Sequence, residues 1–159
     1  MAELHPGIAI LVPLLGSWVG RGSGEYPTIE PFSYTEEVSI GHTGKPFLTY
    51  SQRTRSEDGQ PLHAETGYIR MPSPGRVELI IAHPTGVAEV DEGSLTITEV
   101  GLDLDVQSTM IATTTSAKEV VALSRSIRVG ADELSYTLQM AAVGLPLQHH
   151  LSAILHRQK

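Results

Sequence analysis

The chain contains no cysteine, and basic and aromatic residues are few. Without cysteine, a disulfide framework, a thiolate metal site and a catalytic thiol are all excluded, so a bound metal would need a histidine ligand. Lysine and arginine total 11 against 18 aspartates and glutamates, which gives a formal charge of -7. That balance offers no electrostatic match to a phosphate backbone, so nucleic acid is not an expected partner.

Long hydrophobic runs are also missing. The longest apolar stretch covers residues 8–15, contains Pro13, and is far shorter than the about 20 residues that a membrane-spanning helix needs. No membrane association is therefore expected. The stretch also lacks the basic start and the small-residue cleavage site of a signal peptide, so we expect a cytoplasmic protein. The length of 159 residues predicts a single domain over 1–159.

Turn-forming sequences recur after residue 20, and the segments between them have the length of hairpin strands. The predicted turns include residues 57–59, 72–75, 84–86, 91–93, 100–101 and 129–130. About ten strands without crossover helices favour antiparallel up-and-down order, and closure into a barrel removes the exposed edges. Only the first fifteen residues predict a short helical turn. The expected fold is an all-β, up-and-down barrel that is wide enough for a ligand cavity.

Strict alternation of apolar and polar residues indicates which side chains face the barrel interior. In residues 76–83, His83 shares a face with valine, leucine and isoleucine, and in residues 133–141 Met140 shares a face with two leucines and a tyrosine. Both side chains are expected to point inward. For the strand predicted at residues 118–129, the residues that share a parity are Val121, Leu123, Ile127 and Val129.

Charged residues are interpreted as outward strand positions or turns. The arginines are expected mostly on the outer surface, and the pair Glu36–Glu37 is interpreted as a solvated strand rim rather than an acid and base couple. No Ser, His and Asp arrangement with diagnostic spacing is present, so hydrolase chemistry is not supported.

A glycine-rich block, residues 16–24, is followed by Tyr-Pro-Thr-Ile at 26–29. Its pattern is defined by Gly16, Trp18, Gly20 and Gly22. The residues themselves predict a bent first strand in which glycines allow close backbone approach and Trp18 closes one end of the barrel. A phosphate-binding loop is excluded, because the Gly-Lys-Ser/Thr ending is absent and no helix is predicted to follow.

This Gly-x-Trp-x-Gly-x-Gly block with Tyr-Pro-Thr-Ile resembles the signature of the nitrobindin family. The resemblance continues in order through residues 44–48, 63–68, 82–86, 134–136 and 146–151, and so covers nearly the whole chain. It implies a lipocalin-like barrel of ten strands, similar to fatty-acid-binding proteins, that holds one haem b through a proximal histidine. It also implies ferric-haem chemistry on nitrogen oxides, namely binding of nitric oxide and isomerisation of peroxynitrite to nitrate.

The family's proximal histidine immediately precedes a leucine in the last segment, and this selects His150 as iron ligand and catalytic residue. His149 is the alternative, because strict alternation groups it, and not His150, with Leu151 and Leu155. A β-bulge after Gly144 would reverse that parity.

The resemblance also implies cofactor contacts from His63, His83 and Met140, which lie in pocket-lining segments, and from Thr28 and Lys118 toward the porphyrin or its propionates. Each residue has a structural alternative: a hydrogen-bonded barrel histidine, core filling for the methionine, or a solvated lysine. The alternative function is a carrier of a fatty acid or another apolar molecule. Such carriers usually hold the carboxylate with a buried arginine, which the sequence does not predict here. A homodimer is also considered.

Overall fold

The computed structural model describes residues 2–159 and contains one short helix and ten antiparallel strands. A 3-10 helix spans Pro6–Leu14. The strands are β1 Gly16–Tyr26, β2 Ile29–His42, β3 Phe47–Arg55, β4 Pro61–Ser73, β5 Arg76–His83, β6 Val87–Ile97, β7 Gly101–Thr113, β8 Val120–Gly130, β9 Glu133–Ala142 and β10 Gln148–Arg157. Each strand pairs with its neighbours in sequence, and β1 also pairs with β10, which closes the barrel. The predicted all-β barrel and its short N-terminal helical segment are confirmed.

The 3-10 helix belongs to one end of the barrel, which we call the capped end. It contacts β4, β7 and β8 and buries Ile8, Leu11 and Leu14 in the main apolar core. Trp18 is fully buried beside it and donates a hydrogen bond from Nε1 to the carbonyl oxygen of Leu14, at 3.0 Å. The Arg157 guanidinium lies 4.2 Å from the centre of the indole ring. Apolar packing and one cation–π contact therefore close this end.

The opposite end, which we call the mouth, is formed by the connections β1–β2, β3–β4, β5–β6, β7–β8 and β9–β10. Because every strand is antiparallel to its neighbours, these five connections meet at one end. Among residues 2–159, no helix is long and apolar enough to cross a lipid bilayer.

The glycines of β1 make room for aromatic rings inside the barrel. A Cβ atom added to Gly22 would lie 2.4 Å from the ring of Tyr34, and one added to Gly24 would lie 2.4 Å from the ring of Phe32. Side chains at these positions would therefore displace both rings of β2. The small residues of this block thus shape the interior wall next to β10.

Two local predictions are wrong, and each concerns a segment next to a β-bulge. Residues 91–93 do not form a turn but continue β6, with a bulge between Val90 and Asp91. The strand predicted from residue 118 begins at Val120, and a bulge between Val120 and Ala122 turns Val121 outward, where 61% of it is exposed. A single extra residue reverses the side-chain parity on one side of the bulge.

Candidate functional site

The proposed iron ligand and the other proposed cofactor contacts all lie toward the mouth. Antiparallel strands bring them together from distant parts of the chain. Thr28 lies in the exposed β1–β2 turn, and Lys118 lies in the exposed β7–β8 connection. His63 lies near the start of β4, and His150 lies near the start of β10. His83 is the last residue of β5, and Met140 lies near the end of β9. His63, Met140 and His150 are half-buried, whereas only 10% of the His83 side chain is exposed.

A β-bulge in β10 decides where the two adjacent histidines point. His149 pairs with Gln139 and Leu151 pairs with Leu138, so that His150 is the extra residue between them. Paired residues of antiparallel strands point to the same face of the sheet. Leu138 is buried and Gln139 is exposed, so Leu151 faces the interior and His149 faces outward. The alternation that groups His149 with the interior leucines is therefore broken at this bulge.

The imidazole of His150 is held in one tautomer. Its Nδ1 atom lies 2.9 Å from the carbonyl oxygen of Glu25, and because a carbonyl only accepts, Nδ1 carries the proton. The neutral ring then has a lone pair on Nε2. Burial, the main cause, and the neighbouring His149 together keep the pKa of His150 below its usual value, against the raising effect of the Glu25 carbonyl. The ring is therefore neutral at neutral pH and suited to bind a metal through Nε2.

A second pair of histidines lies inside the barrel at the same end. The Nε2 atom of His63 lies 3.1 Å from Nδ1 of His83, and Nε2 of His83 lies 2.7 Å from a carboxylate oxygen of Glu89. Both ring nitrogens of His83 are thus engaged by protein groups, whereas Nδ1 of His63 has no hydrogen-bond partner among residues 2–159. Burial is the main cause that lowers the pKa of His63, and positive charge on His83, Arg125 or His150 would lower it further.

Arg125 is the centre of a buried charged cluster with Glu65, Glu89 and Asp91. Its Nη2 atom lies 2.9 Å from Glu65 Oε2 and 2.5 Å from Glu89 Oε1, and its Nε atom lies 3.6 Å from Asp91 Oδ2. Carboxylate and imidazole atoms of Glu65, His83 and Glu89 lie within 4.8 Å of one another, as ligands of a metal ion would. The guanidinium already bridges the two glutamates, and it supplies the positive charge that a metal ion would bring.

The protonation states of the cluster follow from burial and from Arg125. Burial alone would raise the pKa of Glu89, but Arg125 and the hydrogen bond from His83 lower it more, so that Glu89 is ionised. Burial raises the pKa of Asp91, and so does a hydrogen bond to the adjacent Glu89, whose carboxylate accepts from the protonated Asp91 carboxyl group. With Asp91 neutral, the cluster contains one positive and two negative charges.

The sequence-based expectation that acidic residues and arginines lie outside is wrong for this cluster. The β8 parity that places Leu123 and Ile127 inside also includes Arg125, and this signal was present in the sequence. On β6, Glu89 and Asp91 share the inward parity of Val87 and Leu95. The partners of the arginine are 36 and 60 residues away in sequence, so only the closed barrel brings the charges together.

A second buried polar network adjoins the core. The hydroxyl of Tyr136 donates to Glu36 Oε1 at 2.6 Å, and the amide of Gln52 donates to Glu36 Oε2 at 2.8 Å. The hydroxyl of Tyr34 lies 2.8 Å from that of Tyr136. Burial is the main cause that raises the pKa of Glu36 to about 7. The interpretation of Glu36–Glu37 as a solvated rim is therefore wrong for Glu36, which is only 2% exposed.

The interior encloses a cavity of about 50 Å³ between these networks and the apolar wall. Leu138 and Leu151 line it on the side of β9 and β10, and Glu65, Arg125 and Tyr136 supply polar atoms. Such a cavity holds small molecules of the size of water. A porphyrin is much larger, so it would have to lie at the mouth rather than inside the closed barrel.

Comparisons with known proteins agree with this architecture. Residues 8–157 match the family model described as THAP4-like, heme-binding beta-barrel domain. The chain is 58% identical over 158 residues to peroxynitrite isomerase 1 of Mycolicibacterium paratuberculosis, with 99% of this chain and 98% of that protein covered. It is 61% identical over 155 residues to peroxynitrite isomerase of Nocardia farcinica, with coverage of 97% and 92%. The crystal structure of Rv2717c from M. tuberculosis superimposes with a TM-score of 0.96 at 55% identity, covering 99% of this chain and 100% of that one.

Proposed function

Because the chain belongs to the family of the THAP4-like, heme-binding beta-barrel domain, we propose that it binds one haem b at the mouth and isomerises peroxynitrite to nitrate. Both relatives are named peroxynitrite isomerase, and both match this chain over nearly its whole length. The observation that carries the proposal is the state of His150, a neutral imidazole with its Nδ1 proton tied to a backbone carbonyl and its Nε2 lone pair available.

The surroundings of His150 fit an iron ligand. Metal-binding histidines usually donate from the second ring nitrogen to a carbonyl or carboxylate, which fixes the ring and increases the basicity of the ligating nitrogen. The Glu25 carbonyl would have this role here. Tyr26 supports the ring from the side, with the ring centres 5.4 Å apart and the planes at 74°. His149 lacks the inward position, because it pairs with the exposed Gln139.

Each of the other proposed contacts would offer a different chemical group to the haem. Met140 offers an apolar and polarisable side chain from β9. Lys118 is a cation on an acidic protein and would pair with a propionate, and Thr28 would add a hydroxyl from the neighbouring connection. His63 would contribute a ring nitrogen. His83 would act through His63, since both of its own nitrogens are engaged.

Bound ferric haem would supply the iron that coordinates and polarises the nitrogen oxide. The chain would exclude bulk water with the apolar wall that includes Leu138 and Leu151, and this would limit side reactions with solvent. Peroxynitrite and nitrate contain the same atoms and the same charge. The reaction therefore needs no net proton transfer and no nucleophile activated by an adjacent base.

A fatty-acid carrier is the second candidate, and the buried Arg125 is the feature that could favour it. However, the guanidinium is already held by Glu65 and Glu89, with Asp91 at 3.6 Å. A fatty-acid carboxylate would bring a further negative charge to a cluster that already contains an excess of carboxylates. The arginine is thus unsuited to a lipid anion, and this supports the haem proposal.

The test is a haemin titration of the wild type and of two matched variants, His150→Ala and His149→Ala. We expect a Soret band that saturates at one haem per chain in the wild type and in His149→Ala, with catalysed decay of peroxynitrite in both. His150→Ala should lose both properties. Haem binding that depends on His149 instead would overturn the ligand assignment, and a wild-type protein that binds no haemin would overturn the function.

Nitric oxide is proposed as a further ligand, because an iron with one protein ligand retains a second face for a small molecule. An absorbance titration of the haem-loaded protein with nitric oxide tests this. The homodimer and the cytoplasmic location remain predictions of the sequence. Light scattering in solution tests the first, and cell fractionation tests the second.

A further inference from the structure

Glu89, His83 and His63 form a line of hydrogen bonds that runs from Arg125 in the charged cluster toward the mouth. Arg125 donates to both carboxylate oxygens of Glu89, at 2.5 and 3.3 Å. Glu89 in turn lies 2.7 Å from Nε2 of His83, and Nδ1 of His83 lies 3.1 Å from Nε2 of His63. His83 and Glu89 are nearly inaccessible, with 10% and 0% of their side chains exposed. His63 is half-buried and lies at the end of the line.

The direction of each hydrogen bond follows from the ionised state of Glu89 together with neutral imidazoles on His83 and His63. An ionised carboxylate only accepts, so Nε2 of His83 carries a proton and donates it. A neutral His83 then has a bare Nδ1, which accepts from Nε2–H of His63. A neutral His63 is left with a bare Nδ1. Arg125 fixes the first acceptor, Glu89, and with both imidazoles neutral the remaining proton positions in the line follow.

We propose that Glu89 and His83 are positioning residues that hold His63 so that its Nδ1 lone pair accepts a hydrogen bond from a ligand at the mouth. The ligand class is a molecule with an O–H group, such as water or a protonated nitrogen oxyacid. The inference rests on the proposed function only in so far as haem occupies the mouth. The line itself is a property of the apoprotein.

The cost of burying the cluster supports a role beyond packing. Buried ion pairs are often no more stabilising than apolar side chains of the same volume, since desolvation offsets the attraction. A barrel of this kind could fill the same space with leucine or valine, as it does at the capped end. A line of hydrogen-bond donors and acceptors replaces that apolar packing here. It ends at the half-buried imidazole of His63 and orients this ring toward a ligand.

The first experiment uses the apoprotein and proton NMR of the imidazole N–H groups. Hydrogen-bonded imidazole protons inside a protein exchange slowly and give separate downfield signals. We expect two such signals, from Nε2–H of His83 and of His63. Glu89→Gln should move the His83 signal upfield, because a neutral amide oxygen is a weaker acceptor than a carboxylate. Glu92→Gln, an exposed position on the same strand, is the matched control and should change neither signal.

His83→Leu is the second variant and keeps the contacts between Arg125 and Glu89. We expect the His63 signal to disappear, because the acceptor of its proton is removed. Circular dichroism of each variant monitors the fold. A wild type without these two signals, or a His63 signal that persists unchanged in His83→Leu, would overturn the line.

The second experiment tests whether Nδ1 of His63 lies beside the bound ligand. The probe is carbon monoxide bound to the reduced, haem-loaded protein, and the measured quantity is its C–O stretching frequency. A lone pair beside the bound molecule opposes electron donation from iron and raises the C–O stretching frequency. We therefore expect a lower frequency in His63→Leu and in His83→Leu than in the wild type and Glu92→Gln. Equal frequencies in all four proteins would overturn the role toward ligand. A protein that binds no haem would overturn the proposed function, while the NMR result would still decide on the line.

Discussion

The ring of Tyr26 meets the imidazole of His150 edge to face, with 5.4 Å between the ring centres. The same tyrosine also joins β1 to the end of β9. Its hydroxyl accepts a hydrogen bond from the amide of Ala142 at 2.9 Å and donates to the carbonyl oxygen of Met140 at 3.1 Å. One side chain therefore connects the proposed iron ligand with the strand end that lies beside it.

Replacing the hydroxyl should weaken this connection while keeping the ring contact. Tyr26→Phe leaves the buried amide of Ala142 without a partner, so we expect a loss of about 2 kcal/mol in the free energy of unfolding. Urea unfolding measures the change. Tyr68→Phe is the control, because Tyr68 is 49% exposed, and it should stay within about 0.5 kcal/mol of the wild type. Equal losses in both variants would show that the hydroxyl of Tyr26 has no special part.

Glu36 should make the barrel less stable as the pH rises. Burial raises its pKa in the folded state from 4.5 to about 7. Below pH 4.5 the carboxyl group is protonated in both the folded and the unfolded chain, and the folded state has no disadvantage. Between these two pKa values only the unfolded chain releases the proton, so stability falls as pH rises and the loss is complete above the folded pKa.

Glu36→Gln removes this pH dependence, because the amide is neutral at every pH. Relative to the wild type, the variant should gain of the order of 3 kcal/mol of stability between pH 4.5 and about pH 8. Urea unfolding at the two pH values gives the difference. Glu37→Gln, at the exposed neighbouring position, should show no such gain. A stability difference for Glu36→Gln that does not grow with pH would contradict the raised pKa.

The regular parts of the barrel could be predicted from alternation alone. The inward positions of His83 and Met140 followed from period-two patterns in strands that contain no bulge at that point. The strand with His150 is different, because its bulge adds one residue and reverses the parity of all that precede it. Nothing in the local composition marks this bulge. The choice of His150 therefore came from the family resemblance, and alternation by itself pointed to His149.

The charged interior could not be predicted from hydrophobic patterning, which assigns charged residues to the surface. Arg125 has the inward parity of its strand, but its burial depends on Glu65 and Glu89, which arrive from β4 and β6. A buried charge is tolerated only when its partners are in place, and the pairing is set by the closed sheet rather than by neighbouring sequence. The burial of Glu36 could not be predicted for the same reason, since its partners Tyr136 and Gln52 come from other strands.

Arg125 should be among the most sensitive positions of the chain. Arg125→Met leaves Glu65 and Glu89 buried without their positive partner, so we expect a loss of about 3–5 kcal/mol in the free energy of unfolding. Arg128→Met, which removes a half-exposed guanidinium on the same strand, should cost at most about 1 kcal/mol. Thermal or urea unfolding compares them. Similar losses in the two variants would contradict the central position of Arg125.

Gly22 should tolerate no side chain, because its place in β1 is filled by an aromatic ring from β2. A Cβ atom there would lie 2.4 Å from the Tyr34 ring, whose hydroxyl is hydrogen-bonded to that of Tyr136. Gly22→Ala should therefore displace a ring that is held in a network and cost about 1–3 kcal/mol. Gly41→Ala is the control, since its Cβ would meet only Thr49 Oγ1 at 3.3 Å, and its stability should be nearly unchanged. Unfolding free energies decide, and tyrosine fluorescence reports whether the ring has moved. A Gly22→Ala protein as stable as the control would mean that the interior has free space beside β1.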